Sequence, residues 1–372
     1  MNFTIITHAV LGKENDRFFA YAPYVREMNV WTKFTDKVVM VAPVEKGKKT
    51  PIQINFEHKD ISFTPIPPIN TTTLIGALRA LIDIPVIAFR IFNAMRKADH
   101  IHLRCPGNIG LVGCVVQIFF PSKEKTAKYA GNWDPSADEP LSYRIQKWIL
   151  NNTFLTRNTT VLVYGEWPGT SKNIVSFFTA TYLEADKVDI EPKSFDGIIK
   201  FLFVGTLTAG KRPFYAVQVI EQLRKADYNV SLEMYGEGPE RERIQSYISQ
   251  HKLKNIVKLK GNQSELVVRK AYKDSHFLLL PSKSEGWPKV VAESMFWSCM
   301  PLATGVSCVP YMVGFGKRGL LLAVDLEKDV KEIIAILNDH DAYVSKIRQS
   351  VAWSRKFTLD RFEEEIKDLL SS

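Results

Sequence analysis

Residues 278 to 295 read LLLPSKSEGWPKVVAESM, and this stretch predicts the fold of the second half of the chain. Its apolar start is typical of a buried strand, Ser282 to Gly286 form a polar loop, and Pro288 suits the first turn of a helix. Backbone N–H groups at such a helix start bind anions. Glu285 in the loop and Glu293 in the helix supply carboxylates, which accept hydrogen bonds from the paired hydroxyls of sugars and riboses. The stretch therefore indicates a phosphate site flanked by two groups that bind diols.

The competing interpretation of these two carboxylates is structural: Glu285 caps the helix and Glu293 is a solvated helical residue. Three other motifs resemble known sites only in part. Gly205 and Gly210-Lys211 have the spacing of a phosphate loop, but Arg212 stands where that loop needs a magnesium-binding hydroxyl. Gly236-x-Gly238 lacks the third glycine of a dinucleotide-binding loop, since the sixth position is Arg241. Asp339-His340-Asp341 lies in a polar helical stretch, and neither histidine nor cysteine spacing suggests zinc, so we expect no metal site.

Outward from residues 278 to 295, short β-branched runs alternate with helical patterns, which is typical of parallel sheets with crossover helices. In the first half, helical patterns cover 16–34, 108–119 and 141–156. The predicted strands of that half are NFTIITHAV, KVVMVAPV, ISFTPIPP, HIHLRCP, KTAKYAG and TVLVYGE. A polar stretch at 184–197 interrupts the alternation, which then restarts. The chain is therefore expected to be an α/β protein with two doubly wound Rossmann-like domains, facing each other across a cleft at the carboxyl ends of both sheets.

Composition and charge agree with this organisation. A chain of 372 residues exceeds the usual size of one core. The net charge of +9 favours anionic partners, but without a basic tail or dense basic block we do not expect nucleic acid to be one of them. The four cysteines fit reduced, mostly buried thiols, and the first residues lack the features of a signal peptide, so we expect a cytoplasmic protein.

The segment from residue 74 to 97 is the most apolar part of the chain. Arg79, Asp83 and Arg90 make a membrane-spanning helix improbable. Its apolar body and its basic residues, which include Arg96 and Lys97, instead suggest an amphipathic helix on an anionic membrane surface, such as the inner face of the cytoplasmic membrane. The alternative is a crossover helix that packs on the sheet with its basic residues solvated.

The second half also shows a family resemblance. The segment SEGWPKVVAE resembles the E-x7-E signature of the retaining GT-B glycosyltransferases of the family 4 type. Three further segments resemble that family's strands and loops, namely KFLFVGTLTAGKRP, LEMYGEGPERERI and VKLKGNQSELVVRKAYKDSHFLLLPS. The resemblance covers residues 198 to 325 in detail and the first half only in organisation. It implies domains at 1–190 for the acceptor and 191–345 for the nucleotide sugar, with a helical tail at 346–372 packing back toward the first domain.

The resemblance also implies roles for individual residues. In the family, a lysine and a nearby arginine neutralise the donor diphosphate; Lys211 matches the lysine, whereas Thr206 replaces the arginine and Arg212 is the neighbouring cation. Glu285 would hold sugar hydroxyls and Glu293 the ribose. The remaining donor-site candidates lie in the same loops and are Gly205, Gly236, Gly286, Trp287, Pro288 and Lys289. For Gly236, an ordinary structural turn remains the alternative.

On the acceptor side, the resemblance points to the ends of the first half's strands. Gly12 lies in the first loop, where relatives often show two glycines, and Asn132 stands where relatives often carry a histidine near the reacting sugar. We place Asn132 with Glu285 and Lys211 in the catalytic set, although an amide cannot act as a base at neutral pH. His102 and Arg104 lie at a strand end on the expected cleft side, with a partly buried structural role as the alternative for His102.

Together these features predict a retaining hexosyltransferase that requires neither metal nor cofactor. It would move a sugar from a nucleotide-diphosphate donor to a glycan or lipid-linked acceptor, in bacterial surface polysaccharide or lipopolysaccharide synthesis. Two alternatives stay open, a sugar-nucleotide epimerase and a nucleotide-binding module without catalysis.

Overall fold

The computed structural model describes residues 1–15, 17–45, 47–50, 52–69 and 73–371. Its contacts divide the chain into two compact units. The first comprises Met1–Phe177 together with Glu363–Ser372, and the second comprises Phe178–Phe362.

The first unit is built on a parallel sheet with the strand order β10-β9-β8-β7-β1-β4-β6, beside a small antiparallel sheet with the order β2-β3-β5. Its strands are β1 Asn2–Ile6, β2 Gly12–Glu14, β3 Arg17–Tyr21, β4 Lys37–Pro43, β5 Gln53–Asn55, β6 Ile61–Ile66, β7 His100–Cys105, β8 Glu124–Tyr129, β9 Thr159–Tyr164 and β10 Ile174–Phe177. Its helices are α1 Ala22–Thr32, α2 Leu74–Lys97, α3 Asn108–Val116 and α4 Leu141–Leu150. Each predicted strand of the first half is present, and the order passes from β1 to β7 on one side and to β4 on the other, as a doubly wound sheet requires.

The helix predicted from residue 16 to 34 is too long at its start. The described residues Arg17–Tyr21 form β3, which pairs with β2 and β5, and α1 begins only at Ala22. A proline in the first turn of α1 fixes this boundary, because its missing N–H costs nothing there. The aromatic residues of RFFAY fit either periodicity, and their high strand propensity decides the local structure.

The helix α2 places Ile87, Ile91 and Met95 in the core of the first unit, where all three are fully buried. These positions lie four residues apart and therefore share one face of the helix. The hydroxyl of Thr73 caps the helix by accepting a hydrogen bond from the backbone N–H of Gly76 at 3.1 Å. No helix among the described residues combines the length and the hydropathy that a membrane span needs.

The second unit contains a parallel sheet with the order β13-β12-β11-β14-β15-β16. Its strands are β11 Ile199–Val204, β12 Val230–Tyr235, β13 Val257–Gly261, β14 Phe277–Leu280, β15 Met300–Thr304 and β16 Leu320–Leu322. The helices that follow β11 are α5 Pro213–Lys225, α6 Arg241–Gln250, α7 Glu265–Asp274, α8 Lys289–Phe296, α9 Val309–Met312, α10 Leu326–Leu337, α11 His340–Ser354 and α12 Leu359–Ser371. Each unit is thus a Rossmann-like α/β layer structure, and the predicted fold class with its helical C-terminal tail is confirmed.

The terminal helix α12 takes part in both units. Its first turn belongs to the second unit, whereas the residues from Glu363 onward belong to the first. Within the first unit, Nζ of Lys33 lies 2.6 Å from Oε2 of Glu363. The first unit is therefore discontinuous in sequence.

Candidate functional site

The candidate site in the second unit is formed by loops at the carboxyl edge of its sheet. In that sheet β11 lies between β12 and β14, so the loops that follow these three strands are neighbours. They comprise residues 205–212, 236–240 and 281–288. Loops at the carboxyl ends of parallel strands are the usual ligand sites of such sheets.

The loop after β11 and the loop after β14 are joined by an ion pair. Nζ of Lys211 donates to Oε1 of Glu285 at 2.5 Å, and the two side chains are 29% and 8% exposed. A backbone hydrogen bond of 2.8 Å from the N–H of Lys283 to the carbonyl of Gly210 fastens the loops beside it. The structure therefore brings together two residues that lie 74 positions apart in the sequence. An ammonium has three donors, so Lys211 can bind an anion while it keeps Glu285 in place.

Arg212 holds the same two loops together from a different direction. Its backbone is left-handed, with φ 49° and ψ 48°, at the position that precedes α5. Its guanidinium donates to the carbonyl oxygen of Pro281 at 3.2 Å. Thr206, at the place of the family arginine, is exposed, and its carbonyl accepts from the N–H of Thr208. Lys211 is therefore the cation that the structure pairs with Glu285, and a phosphate role for Arg212 stays a prediction.

The glycine turn after β12 packs closely against the backbone of the loop after β11. A Cβ atom on Gly236 would lie 1.9 Å from the carbonyl oxygen of Gly205, and one on Gly238 would lie 2.5 Å from that of Leu207. The N–H of Leu207 donates to the carbonyl of Glu237, and Leu207 in turn accepts from the N–H of Glu240, both at 2.9 Å. These contacts support the structural alternative for Gly236. Because glycine has no side chain, it permits the two backbones to approach closely.

This close approach predicts a large loss of stability in Gly236→Ala. The methyl group would overlap the Gly205 carbonyl, and φ of 139° is unfavourable for a side chain, so unfolding should require about 3 kcal/mol less free energy. The control is Gly197→Ala, where φ is 88° but no atom lies within 4 Å of the added Cβ, and about 1 kcal/mol is expected. Urea unfolding measures both variants. Equal losses would show that the contact with Gly205 contributes nothing.

Glu293 is not the solvated helical residue of the structural interpretation. Its carboxylate is buried, although part of the residue remains exposed, and it accepts hydrogen bonds from Oγ1 of Thr181 at 2.8 Å and from Oη of Tyr272 at 3.0 Å. Burial raises the pKa of Glu293 above its usual value, while the two hydrogen bonds act in the opposite direction. Two carboxylate oxygens can accept about four hydrogen bonds, so this group retains capacity for further hydroxyls.

The loop at Gly286 is fixed by the segment that follows β15. The carbonyl of Gly286 accepts from Oγ of Ser307 at 3.2 Å and from Sγ of Cys308 at 2.9 Å. The Trp287 indole is nearly buried and stacks on Trp353 at a centroid distance of 6.2 Å. The indole therefore packs against the second unit's own residues, and a ligand contact of Trp287 stays a prediction.

Pro288 directly precedes α8, which agrees with the predicted helix start, and Lys289 is the first residue of that helix. Lys289 lies one turn before Glu293, and its charge lowers the pKa of that carboxyl in opposition to burial. Elsewhere, Asp339 caps α11 by accepting from the N–H of Ala342 at 3.0 Å, so the Asp-x-Asp motif forms a helix start. Within the described ranges, no three His, Cys, Asp or Glu side chains are grouped as metal ligands.

In the first unit, Arg104 forms a nearly buried ion pair with Glu27 of α1. The guanidinium also lies over the ring of Tyr24, with 5.5 Å from its central carbon to the ring centroid. Burial disfavours the charge of Arg104, but Glu27 and Tyr24 outweigh it and raise the pKa above its usual value. Burial raises the pKa of Tyr24 to about 12. Burying an ion pair costs free energy unless both charged groups are well hydrogen-bonded. Arg104 lies at the carboxyl end of β7 and stays an acceptor-side candidate.

The other acceptor-side candidates need correction or remain open. His102 is fully buried between Trp31 and Phe3, and its Nδ1 pairs with Oγ1 of Thr126, so it belongs to the core as in the structural alternative. Burial lowers its pKa well below the usual value, which leaves the ring neutral. Gly12 begins β2, where the ring of Phe19 would lie 2.1 Å from an added Cβ. Asn132 follows β8, is partly exposed and accepts from the N–H of Asp134.

Part of the chain matches a known protein family. Residues 186–351 match the family model described as Glycosyl transferases group 1. An uncharacterised glycosyltransferase of Methanocaldococcus jannaschii is 28% identical over 161 residues, which is 43% of this chain and 44% of that protein. This chain therefore matches less than half the length of that relative.

Solved structures resemble the whole chain. Sucrose-phosphate synthase from Thermosynechococcus elongatus has a TM-score of 0.67 at 16% identity, with coverage of 100% of this chain and 98% of that one. HepE of Anabaena, in complex with UDP and glucose, has a TM-score of 0.67 at 13% identity, with coverage of 100% and 99%. At these identities the likeness establishes the fold, which is that of the GT-B glycosyltransferases.

Proposed function

We propose that the chain is a retaining hexosyltransferase that moves a sugar from a nucleoside-diphosphate donor to a glycan or lipid-linked acceptor without a metal ion. The observation that carries the proposal is the ion pair between Lys211 and Glu285, which brings a cation and a carboxylate together at one sheet edge. This pair lies within the part of the chain that matches the group 1 family model.

Each residue of the site has a role in the proposed transfer. The diphosphate gains negative charge as the bond from the anomeric carbon to its oxygen breaks, and Lys211 with the first N–H groups of α8 stabilises that charge. Glu285 accepts hydrogen bonds from sugar hydroxyls, and Glu293 accepts them from the ribose. The acceptor oxygen forms its bond on the face that the diphosphate leaves, and its proton passes to the departing phosphate oxygen. Asn132 contributes hydrogen bonds to the sugar, not base catalysis.

The test is transfer measured with and without an acceptor. UDP, GDP, ADP and their sugar conjugates are first screened by thermal shift, because a ligand that binds only the folded state raises the melting temperature. We expect turnover of the stabilising donor only when an acceptor is present, and no change on adding EDTA. Interconversion of nucleotide sugars without acceptor would identify an epimerase, and binding without turnover would identify a nucleotide-binding module. A strict metal requirement would overturn the mechanism.

For the cellular setting, we propose cytoplasmic synthesis of a bacterial surface polysaccharide or lipopolysaccharide at an anionic membrane. Support comes from the face of α2 opposite its buried residues, which exposes Leu81, Ile82, Val86 and Phe89. Beside it, Phe92 contacts Phe120 with ring centroids 5.0 Å apart, and the neighbouring Phe119 is also exposed. Arg96 and Lys97 are exposed at the end of the same helix. Apolar and basic groups combined in this way bind headgroup layers.

Vesicle sedimentation tests this surface. We expect salt-sensitive binding to vesicles that contain phosphatidylglycerol, and loss of binding in both Ile82→Ser/Phe89→Ser and Arg96→Glu/Lys97→Glu. Arg90 is left intact because its guanidinium donates to the carbonyl of Pro65. Leu266→Ser, which changes an exposed leucine of the second unit, is the matched control. Absence of binding at low salt would contradict the membrane proposal and favour a soluble acceptor.

A further inference from the structure

The first unit contains a pocket that is separate from the buried ion pair at the end of β7. It has a volume of about 820 Å³, which falls in the range of small-molecule sites. One side is a face of α4 and its C-terminal extension, where Arg144, Trp148, Asn151 and Asn152 follow at helical spacing. The Trp148 side chain is 63% exposed although it is a large aromatic group, so it offers a ring face to a ligand.

The two loops that complete the pocket are held in place by α4. Nζ of Lys147 lies 2.5 Å from Oε2 of Glu139 and donates to the carbonyl of Asp134 at 3.1 Å, which fixes the loop after β8. Oδ1 of Asn151 accepts from the N–H and the hydroxyl of Ser171, at 2.8 and 3.0 Å, which fixes the loop after β9. The pocket is therefore formed before any ligand binds, and little ordering opposes binding.

Donor groups at the pocket remain available. The side-chain oxygen of Asn151 is used by Ser171, and that of Asn152 accepts from the N–H groups of Phe154 and Leu155. In the part of the chain that the structure describes, the NH₂ groups of these two amides donate no hydrogen bond, and Arg144 forms no ion pair. An exposed indole is thus surrounded by amide and guanidinium donors.

The charges around the pocket are largely compensated. The ammonium of Lys147 is compensated by Glu139. Asn151 follows the last turn of α4, and the partial negative charge at a helix C-terminus repels anions. Arg144 can donate hydrogen bonds to the hydroxyl oxygen atoms of a sugar. A flat ring face beside several donors suits a sugar ring, which presents C–H groups on one face and hydroxyl oxygens around its rim.

We propose that this pocket binds a neutral saccharide unit stacked on Trp148. Trp133 lines the pocket and follows Asn132 in the loop after β8, so the bound saccharide lies next to the loop that carries the acceptor-side candidate. The assignment of this saccharide to a remote part of the acceptor rests on the proposed function; the binding itself does not.

The test is direct binding of neutral oligosaccharides to the full chain, without donor, by saturation-transfer NMR and titration calorimetry. The probes are gluco-, galacto-, manno- and N-acetylglucosamine oligosaccharides, with a sugar phosphate for comparison. We expect one neutral series to bind, with affinity about tenfold lower or worse in Trp148→Ala and partly restored in Trp148→Phe. The exposed position of Trp148 allows the variant to fold.

The matched control is Phe154→Ala. Phe154 is an exposed aromatic residue between α4 and β9, and its side chain does not line the pocket. It should leave binding unchanged. No binding by any neutral series, equal binding by Trp148→Ala, or binding of the sugar phosphate alone would overturn the proposal. Transfer assays separate it from the proposed function: oligosaccharide binding without any transfer contradicts the function alone, whereas transfer without Trp148-dependent binding contradicts the pocket alone.

Discussion

Glu285→Gln should fold normally and lose about a hundredfold in kcat/KM for sugar transfer, roughly 2.7 kcal/mol of transition-state stabilisation. An amide offers one acceptor oxygen without charge where the carboxylate offers two, so the hydrogen bonds to sugar hydroxyls weaken. The change also leaves Lys211 facing a neutral partner instead of the carboxylate 2.5 Å away. Initial rates with a fixed acceptor measure the loss, and circular dichroism checks the fold.

The control for this variant is Glu237→Gln. Glu237 is an exposed carboxylate in the neighbouring loop, and it is paired with Arg241 at 2.8 Å, so its neutralisation should leave transfer unchanged. A Glu285→Gln rate within about tenfold of the parent chain, a change of only ~1.4 kcal/mol in the barrier, would argue against the assigned role.

Lys211→Ala should weaken binding of the nucleoside diphosphate by about 2 kcal/mol, roughly thirtyfold, and leave binding of the bare nucleoside nearly unchanged. The reason is that the ammonium acts on the phosphate groups only. Titration calorimetry with both ligands gives the difference directly. Lys225→Ala removes the same charge at the far end of α5, where the lysine pairs with Glu221 at 2.9 Å, and serves as the control.

The same titration shows whether Lys211 or Arg212 contacts the phosphate groups. If Lys211→Ala keeps its diphosphate affinity while Arg212→Ala loses it, Arg212 carries the phosphate contact and the assignment to Lys211 is wrong. A loss in both variants would be ambiguous by affinity alone, because Arg212 also ties the loops together through Pro281. The melting temperature of ligand-free Arg212→Ala resolves it, since a structural role lowers stability and a phosphate contact does not.

The sequence predicts the sheet of the second unit well because its strands are short apolar runs between glycine and polar turns. Strands such as β11 and β14 are buried on both faces, and such runs are recognisable without long-range information. The edge strand β10 and the small sheet of β2, β3 and β5 were not predicted. Their residues are partly exposed or serve equally well in a helix, so only pairing with distant segments decides their structure.

The same limit applies to the candidate site. Lys211 and Glu285 could be selected from local motifs, but no local pattern shows that Glu27 pairs with Arg104, 77 residues away. Thr181, a partner of Glu293, lies 112 residues from it, just before the polar stretch at 184–197. The sequence places His102 near the ligand because it is close to a strand end. Strand alternation instead directs its side chain into the core, and the sequence does not reveal which face α1 covers.

The discontinuity of the first unit has a consequence for biosynthesis. A ribosome releases residues 1–177 first, but the unit to which they belong also includes Glu363–Ser372. Phe178–Phe362 emerges in one continuous piece and contains every residue of its own unit. During translation most of the first unit is therefore made well before the segment that completes it and supplies the partner of Lys33. The unit that begins first thus cannot be completed before the second unit has been synthesised.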